Sequence, residues 1–356
     1  MTNIKKLGLS ALAGSLVAVS AQAGEMSVTG SANVTYVTGK DDATGKAIGT
    51  DKDVAFTGTG ELDNGWTFTV STLLTDGYSV SSSYTSMTMG SLGTVSFGTD
   101  TGGANYKYDE EVPQAYEQMS DAQQTTANRV GTIHDSNMIV YNSPSFDLGG
   151  LTASIDLEYS PGANSSGVND GGSATNDDDF GSATGAGVTL SYDALKFGIY
   201  GAEIERTSNN PGAQNDVFEG AWYVNYSFGP VSIGYTEHYM DGGANGTAEA
   251  VTDAKDAATG NTRTANGFFE GEQMSIAFNV NENFSVSYTE SEETYDAQDN
   301  APTAVADVTQ KVEGIQAAYS MGAMSIKAYK IDVTNPAFDE DAADKTATEI
   351  ALGLAF

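Results

Sequence analysis

The chain has 356 residues, with 48 Asp and Glu against 15 Lys and Arg, and it contains no cysteine. A formal charge of -33 excludes nucleic-acid binding, because phosphate contacts need a basic surface. The lack of cysteine excludes a disulfide scaffold, so an exported chain of this composition must draw its stability from another source.

In chain order, the first element is a leader. Lys5 and Lys6 precede an apolar stretch from Leu7 to Val19, and Ala21-Gln22-Ala23 follows with the small-x-small pattern of a cleavage site. The apolar run is too short to span a bilayer comfortably, so residues 1–23 are expected to be a cleaved signal peptide and 24–356 the mature chain. After Gly24 no stretch approaches the roughly twenty apolar residues of a membrane helix. The mean hydropathy of -0.28 is still compatible with a transmembrane barrel, in which only alternate residues meet lipid.

Period-two alternation then runs through almost the whole chain, with no convincing helical period outside residues 110–128. Trp66, Phe68 and Val70 alternate with Thr67, Thr69 and Ser71. Leu151, Ala153, Ile155, Leu157 and Tyr159 alternate with Thr152, Ser154, Asp156 and Glu158. Phe218, Trp222, Val224, Tyr226 and Phe228 share a face opposite Glu219, Tyr223, Asn225 and Ser227. In the last strand Ile350, Leu352, Leu354 and Phe356 oppose Glu349, Ala351, Gly353 and Ala355.

A soluble sandwich also alternates, so the connections decide. Tight turns fall at Asp63-Asn64-Gly65, Gly90-Ser91-Leu92-Gly93, Asp147-Leu148-Gly149-Gly150, Asp193-Ala194, Gly229-Pro230, Asn281-Glu282-Asn283 and Met321-Gly322. Longer polar connections near 38–52, 75–81, 99–136, 160–184, 207–216, 241–266, 292–310 and 333–346 alternate strictly with them. This order predicts one all-β domain, a sixteen-stranded antiparallel up-and-down transmembrane β-barrel, with short turns in the periplasm and long loops outside. Trp66, Phe146, Phe197, Phe228, Phe284 and Phe356 near the short turns, and Tyr36, Tyr159, Tyr239 and Tyr288 near the long loops, fit two interfacial girdles.

A barrel this wide leaves an open lumen unless something narrows it. The connection 100–136 differs from the others in length and character, and its first half holds Asp109, Glu110, Glu111, Glu117 and Asp121. Folded inward, it becomes a pore-constricting loop.

The segment after it, Asn137-Met138-Ile139-Val140-Tyr141-Asn142-Ser143-Pro144-Ser145-Phe146, resembles the Asn-Ser-x-x-Tyr-x-Ser-Pro-x-Phe stretch of the general trimeric porins of Gram-negative outer membranes. Met87 to Gly98 resembles the strand-turn-strand before that family's third loop, and terminal Phe356 resembles the aromatic signature read by the outer-membrane assembly machinery. The motifs cover about thirty residues, while the architectural likeness covers the mature chain. The resemblance implies a third loop folded into the pore, a homotrimer, and loop carboxylates facing wall arginines across the narrowest point.

Arg129 stands where a wall arginine is expected, but Arg206 and Arg263 are the only others, so the family's arginine ladder is incomplete. Lys196 and Lys327 substitute in part on the expected lumen wall, which also bears Asp156, Glu158 and Glu349. So acidic a lumen should favour cations, the bland rival being that loop acid only solubilises the surface and binds divalent ions among lipopolysaccharide neighbours. Asn176-Asp177-Asp178-Asp179 offers oxygen ligands for calcium but lacks the spacing of a calcium loop, so no cofactor is assigned.

The expected function is passive diffusion of small hydrophilic solutes and ions across the outer membrane, with no catalytic step. Expected partners are membrane lipids, lipopolysaccharide and the assembly machinery. Gly30, Ala32, Gly58 and Gly60 fit a flat contact between barrels.

Two rivals stand beside this reading. A sugar or peptide channel would use a lumenal track of aromatics, for which Tyr200, Tyr223, Tyr329, Tyr106, Tyr108 and Tyr116 are the candidates. His134-Asp135-Ser136 resembles the His-x-Ser pair of outer-membrane phospholipase, but where that family has its orienting Asn this chain has Leu148. His238 reads as a wall histidine bonded to a loop.

Overall fold

The computed structural model describes residues 24–40, 47–99, 107–109, 111–119, 138–162, 180–206, 216–241, 267–297 and 306–356. The strands are β1 (Met26–Lys40), β2 (Ala47–Glu61), β3 (Thr67–Leu74), β4 (Val80–Thr88), β5 (Thr94–Thr99), β6 (Met138–Asn142), β7 (Phe146–Asp147), β8 (Thr152–Ser160) and β9 (Phe180–Tyr192). They continue with β10 (Leu195–Arg206), β11 (Val217–Phe228), β12 (Val231–Asp241), β13 (Gly267–Asn281), β14 (Phe284–Ala297), β15 (Val308–Met321), β16 (Met324–Thr334) and β17 (Lys345–Ala355).

Each strand pairs antiparallel with its neighbours, and β1 pairs with both β2 and β17, so the sheet closes on itself. Closure leaves no strand edge unpaired, which is what a sheet in lipid requires. The fragments β6 and β7 both pair with β8 and form one interrupted strand, so the barrel has sixteen staves. Pro144, without an N–H, sits at the interruption. There the Ser143 N–H donates to the Ile155 carbonyl and the Ile155 N–H donates to Ser143 Oγ, which carries the pairing across.

Short turns use residues that tolerate a left-handed backbone. Gly229 and Gly322 have φ of 58° and 61°, and Asp193 adopts 53°. Several expected long connections are shorter than the sequence implied. Strands β1 and β2 extend to Lys40 and from Ala47, with Tyr36 paired to Ile48, and a short 3-10 turn, Asp76–Tyr78, links β3 to β4. The physical reason is that apolar alternation stops at the membrane boundary, whereas backbone pairing continues into water.

The barrel is inside out relative to a soluble protein. Large apolar side chains such as Ile199, Ile276, Ile315 and Ile350 are exposed on the outer face, while Asp156, Glu158, Gln316 and Glu349 are buried on the inner one. On the long-loop side of β12 to β16 the outer face turns acidic. Glu237, Glu272 and Glu292 are cross-strand neighbours there, as are Glu290, Glu313 and Asp332. The Tyr235 hydroxyl lies 2.6 Å from a carboxylate oxygen of each of Glu237 and Glu272, and Lys311 bonds Glu290 and lies within 3.3 Å of Glu292 and Glu313.

The expected flat glycine contact is altered in part. A Cβ on Gly30 would fall 2.4 Å from the Phe356 ring and one on Gly60 2.4 Å from the Phe68 ring, so two of the glycines are covered by aromatics of the same chain. Gly58 faces open space.

Candidate pore-lining site

The helical period read at 110–128 does not become a helix over 111–119. Pro113 supplies no N–H, and the backbone donors that a helix would use go to the barrel wall instead. The Ala115 N–H donates to Ser287 Oγ on β14 and the Tyr116 N–H to Gln316 Oε1 on β15, both at 2.9 Å.

From residue 107 to residue 116 the contacts progress round the wall in chain order, and Met119 then packs back on β15 and β16. Lys107 pairs with Asp156 on β8 at 2.5 Å, and the Tyr108 hydroxyl donates to the same carboxylate at 3.0 Å. Glu111 pairs with Lys196 on β10 at 2.5 Å, and its carbonyl accepts from Asn225 on β11. The Pro113 carbonyl accepts from Ser275 on β13. The Tyr116 hydroxyl donates to Glu349 on β17 at 2.6 Å, and Met119 packs with Val312, Ile331 and Val333. The segment is therefore bound along the inner wall from β8 to β17.

Glycines make room for it. A Cβ on Gly187 would lie 2.4 Å from the Tyr108 ring, one on Gly234 2.4 Å from Pro113, and one on Gly314 2.4 Å from the Met119 methyl. These seats fall on β9, β12 and β15, and nothing in their sequence surroundings marks them. Only knowing which loop residue arrives at each would have done so.

Tyrosines supply the adhesive. Tyr108 stacks on Tyr200 with centroids 5.4 Å apart and lies 6.1 Å from Tyr223, while Tyr116 lies 5.9 Å from Tyr329. Lys196 sits over the Tyr223 ring and Lys327 over the Tyr116 ring, each at 5.1 Å. Exposures of 0 % for Tyr108, 3 % for Tyr200, 0 % for Tyr223 and 2 % for Tyr329 leave these four no face for a passing sugar. Tyr106 lies outside the described residues. Burial, with the Glu349 carboxylate beside it, pushes the Tyr116 hydroxyl well above the ordinary tyrosine range, so it remains a donor.

Asp156, Glu158, Lys196, Lys327 and Glu349 all lie on the inner face, and four of them touch the 107–119 segment directly. Glu158 accepts from Tyr200 at 3.0 Å and sits one layer behind. Of the loop carboxylates, Asp109 is buried, with its carbonyl accepting from Gln118, Glu111 is ion-paired, and the Glu117 carbonyl accepts from Gln316. Glu110, Asp121 and Arg129 lie outside the described residues, as do residues 1–23, His134, Asp135, Ser136, Asp177, Asp178, Asp179 and Arg263. His238 is buried on the inner face, where a Cβ on Gly271 would meet its ring. Among the described residues no group of three or more His, Cys, Asp or Glu is arranged to hold a metal ion.

The opposite wall is bare by comparison. Strand register carries the inward face from Glu158 through Val140, Ser96, Ser86 and Thr69 to Thr59, and back through Asn33 and Gly353 to Glu349. On β1 to β5 this face bears hydroxyls together with Asp51, Asp53 and Glu61, and among the described residues no lysine or arginine. The one lysine of β2, Lys52, shares the outer face with Ala32.

A family model described as Gram-negative porin matches residues 8–356. No curated protein matches the chain significantly. Among solved structures, Salmonella typhi OmpF in complex with daunomycin is similar with a TM-score of 0.68 at 12 % identity, over 94 % of this chain and 98 % of that one. The anion-selective porin from Comamonas acidovorans gives 0.62 at 14 % identity, over 93 % and 99 %. In-vitro folded OmpT of Vibrio cholerae, in its trimer form, gives 0.60 at 12 % identity, over 94 % and 100 %.

Proposed function

The chain belongs to the Gram-negative porin family, and we propose that it is a cation-preferring passive diffusion channel of the outer membrane for small hydrophilic solutes and ions. The carrying observation is the bare wall. Opposite the loop the inner face of β1 to β5 offers carboxylates and hydroxyls but no ammonium or guanidinium among the described residues. A low-dielectric tube lined with one sign of charge concentrates the opposite ion. In this reading residues 100–136 form the constriction, with Glu117 and the unpaired acids of the facing wall setting the field.

The channel is a homotrimer in this proposal, in line with the trimeric assembly of the Vibrio cholerae relative. It is exported by cleavage after residue 23, and Phe356 serves as the assembly signal. The outward acids at the long-loop rim of β12 to β16 support contact with lipopolysaccharide through bridging divalent cations. The burial of Tyr108, Tyr200, Tyr223 and Tyr329 favours a general channel over one with an aromatic sugar track. Planar-bilayer recordings under a KCl gradient test the proposal. A reversal potential on the potassium side is expected; one on the chloride side overturns the selectivity, and absence of conductance overturns the channel.

A further inference from the structure

We propose that the outward face of β11 to β14 holds a seat for one membrane lipid whose head group carries a primary ammonium, with the head in an acidic, aromatic groove and an acyl chain in an apolar groove beneath it. The inference goes beyond the channel reading, since it concerns the side of the wall turned away from the pore and is independent of what the pore conducts.

The two grooves lie end to end. The upper one, of about 550 Å³, is lined by Gly220, Trp222, Glu237, Tyr239, Glu270 and Glu272, which share the outer face by strand register. The lower one, of about 450 Å³, is lined by Val224, Ile233, Tyr235, Met274 and Ile276 of the same face. Gly271 and Ser275 of β13, on the floors of the two, are four residues apart, about 13 Å along the strand. Among the described residues no lysine or arginine lines either groove.

The upper groove asks for a positive charge. Glu237 Oε2 accepts from Trp222 Nε1 at 2.9 Å, while Glu237 Oε1 and Glu272 Oε2 each lie 2.6 Å from the Tyr235 hydroxyl. That hydroxyl carries one proton, so it serves only one of the two carboxylates, and the other oxygen is left for a cation. Lys311 on β15 is already engaged by Glu290, Glu292 and Glu313.

Aromatic rows border these acids on both sides. Trp222 lies 6.4 Å from Phe197 and 5.5 Å from Tyr235, and Tyr239 sits between Phe218 at 6.1 Å and Phe268 at 5.4 Å. Carboxylates beside aromatic faces suit an organic ammonium better than a hydrated divalent ion. The four strands are paired along both edges, so a guest meets side chains and finds no edge to which a peptide strand could add. An apolar groove running out of a cationic one selects a hydrocarbon chain with an ammonium at its end.

The test uses the full chain in phosphatidylcholine vesicles. Trp66 and Trp222 are the only tryptophans, so Trp66→Phe leaves Trp222, on the rung between the two grooves, as the reporter. Brominated acyl chains quench indole fluorescence on contact. Dibrominated stearylamine is expected to quench Trp222 severalfold more than dibrominated stearyl alcohol at equal content. The excess should vanish when Glu237→Gln and Glu272→Gln are combined, and in Gly220→Val, which fills the upper groove without changing charge. Trp222→Phe, with Trp66 at the short-turn end as the reporter, should show no excess. Electrophoretic heat-modifiability of each variant verifies a folded barrel. Equal quenching of Trp222 by amine and alcohol overturns the seat, as does an excess that Trp66 shares or that survives in the folded double-glutamine variant. Stronger quenching by dibrominated stearic acid with magnesium than by the amine assigns these acids to bridged anionic lipid and overturns the ammonium.

Discussion

The two halves of the inner wall solve opposite problems. From β8 to β17 the wall is a receptor for the chain's own loop, with glycine seats at Gly187, Gly234 and Gly314, tyrosine stacks, and ion pairs to Lys107 and Glu111. From β1 to β5 it is plain, with cross-strand hydroxyl pairs such as Thr57 with Ser71 and Thr88 with Thr94. In the channel proposed above, the crowded half is where the pore narrows. The plain half, having no such duty, is free to set its charge. A count of acids therefore overstates the field on one side, where Asp156 and Glu111 are neutralised, and describes it fairly on the other.

The sharpest way to break this contrast is to give the plain wall the cations it lacks. Thr57→Arg with Ser71→Arg places two guanidiniums side by side on the inner face, and the reversal potential is expected to swing toward chloride. The same pair of substitutions on the outer face, at Thr72 and Ser83, should leave it unmoved.

A smaller effect is expected from spoiling a seat on the crowded wall. Gly187→Val drives a methyl group into Tyr108, and overpacking of this kind costs about 1–3 kcal/mol. The cost falls on the loop rather than on the barrel, so single-channel current should rise and grow noisier while heat-modifiability of the barrel is kept. Unchanged current would mean that the segment does not narrow the pore.

The smallest change in current is expected from Tyr116→Phe, which removes one hydroxyl bonded to a carboxylate and leaves the ring and the backbone contacts of the segment in place. The sign with pH follows from the raised Tyr116 value. The contact is fully present below the ordinary tyrosine range near 10 and is lost only as pH climbs through the higher folded value. Current noise in the wild type should thus stay flat up to about pH 10, where a free tyrosine begins to ionise. A rise in noise near neutrality would assign the latch to another group.

Much of the barrel was legible in the sequence because lipid on one side and water on the other impose a period of two that no tertiary contact can override. Ile350, Leu352 and Leu354 point outward and Glu349 inward for that reason alone. The turns were legible as well, since Gly229 and Asp193 are residue types suited to the backbone they adopt. The strand ends were less so, because above the membrane pairing persists after apolar alternation has stopped, as at Lys40 and Ala47. For the candidate site, the sequence read Lys196, Lys327, Asp156 and Glu349 as residues of one strand face, but could not say that the first and third are ion-paired.

What the sequence determined by itself was the closed all-β barrel, its number of staves and the face on which each wall residue lies, since these follow from local alternation and turn chemistry. Only the tertiary structure decided which wall the loop segment binds and so which charges stay unpaired. Those contacts join residues as far apart as Tyr116 and Glu349, and depend on shape at Gly187, Gly234 and Gly314, which no local pattern records.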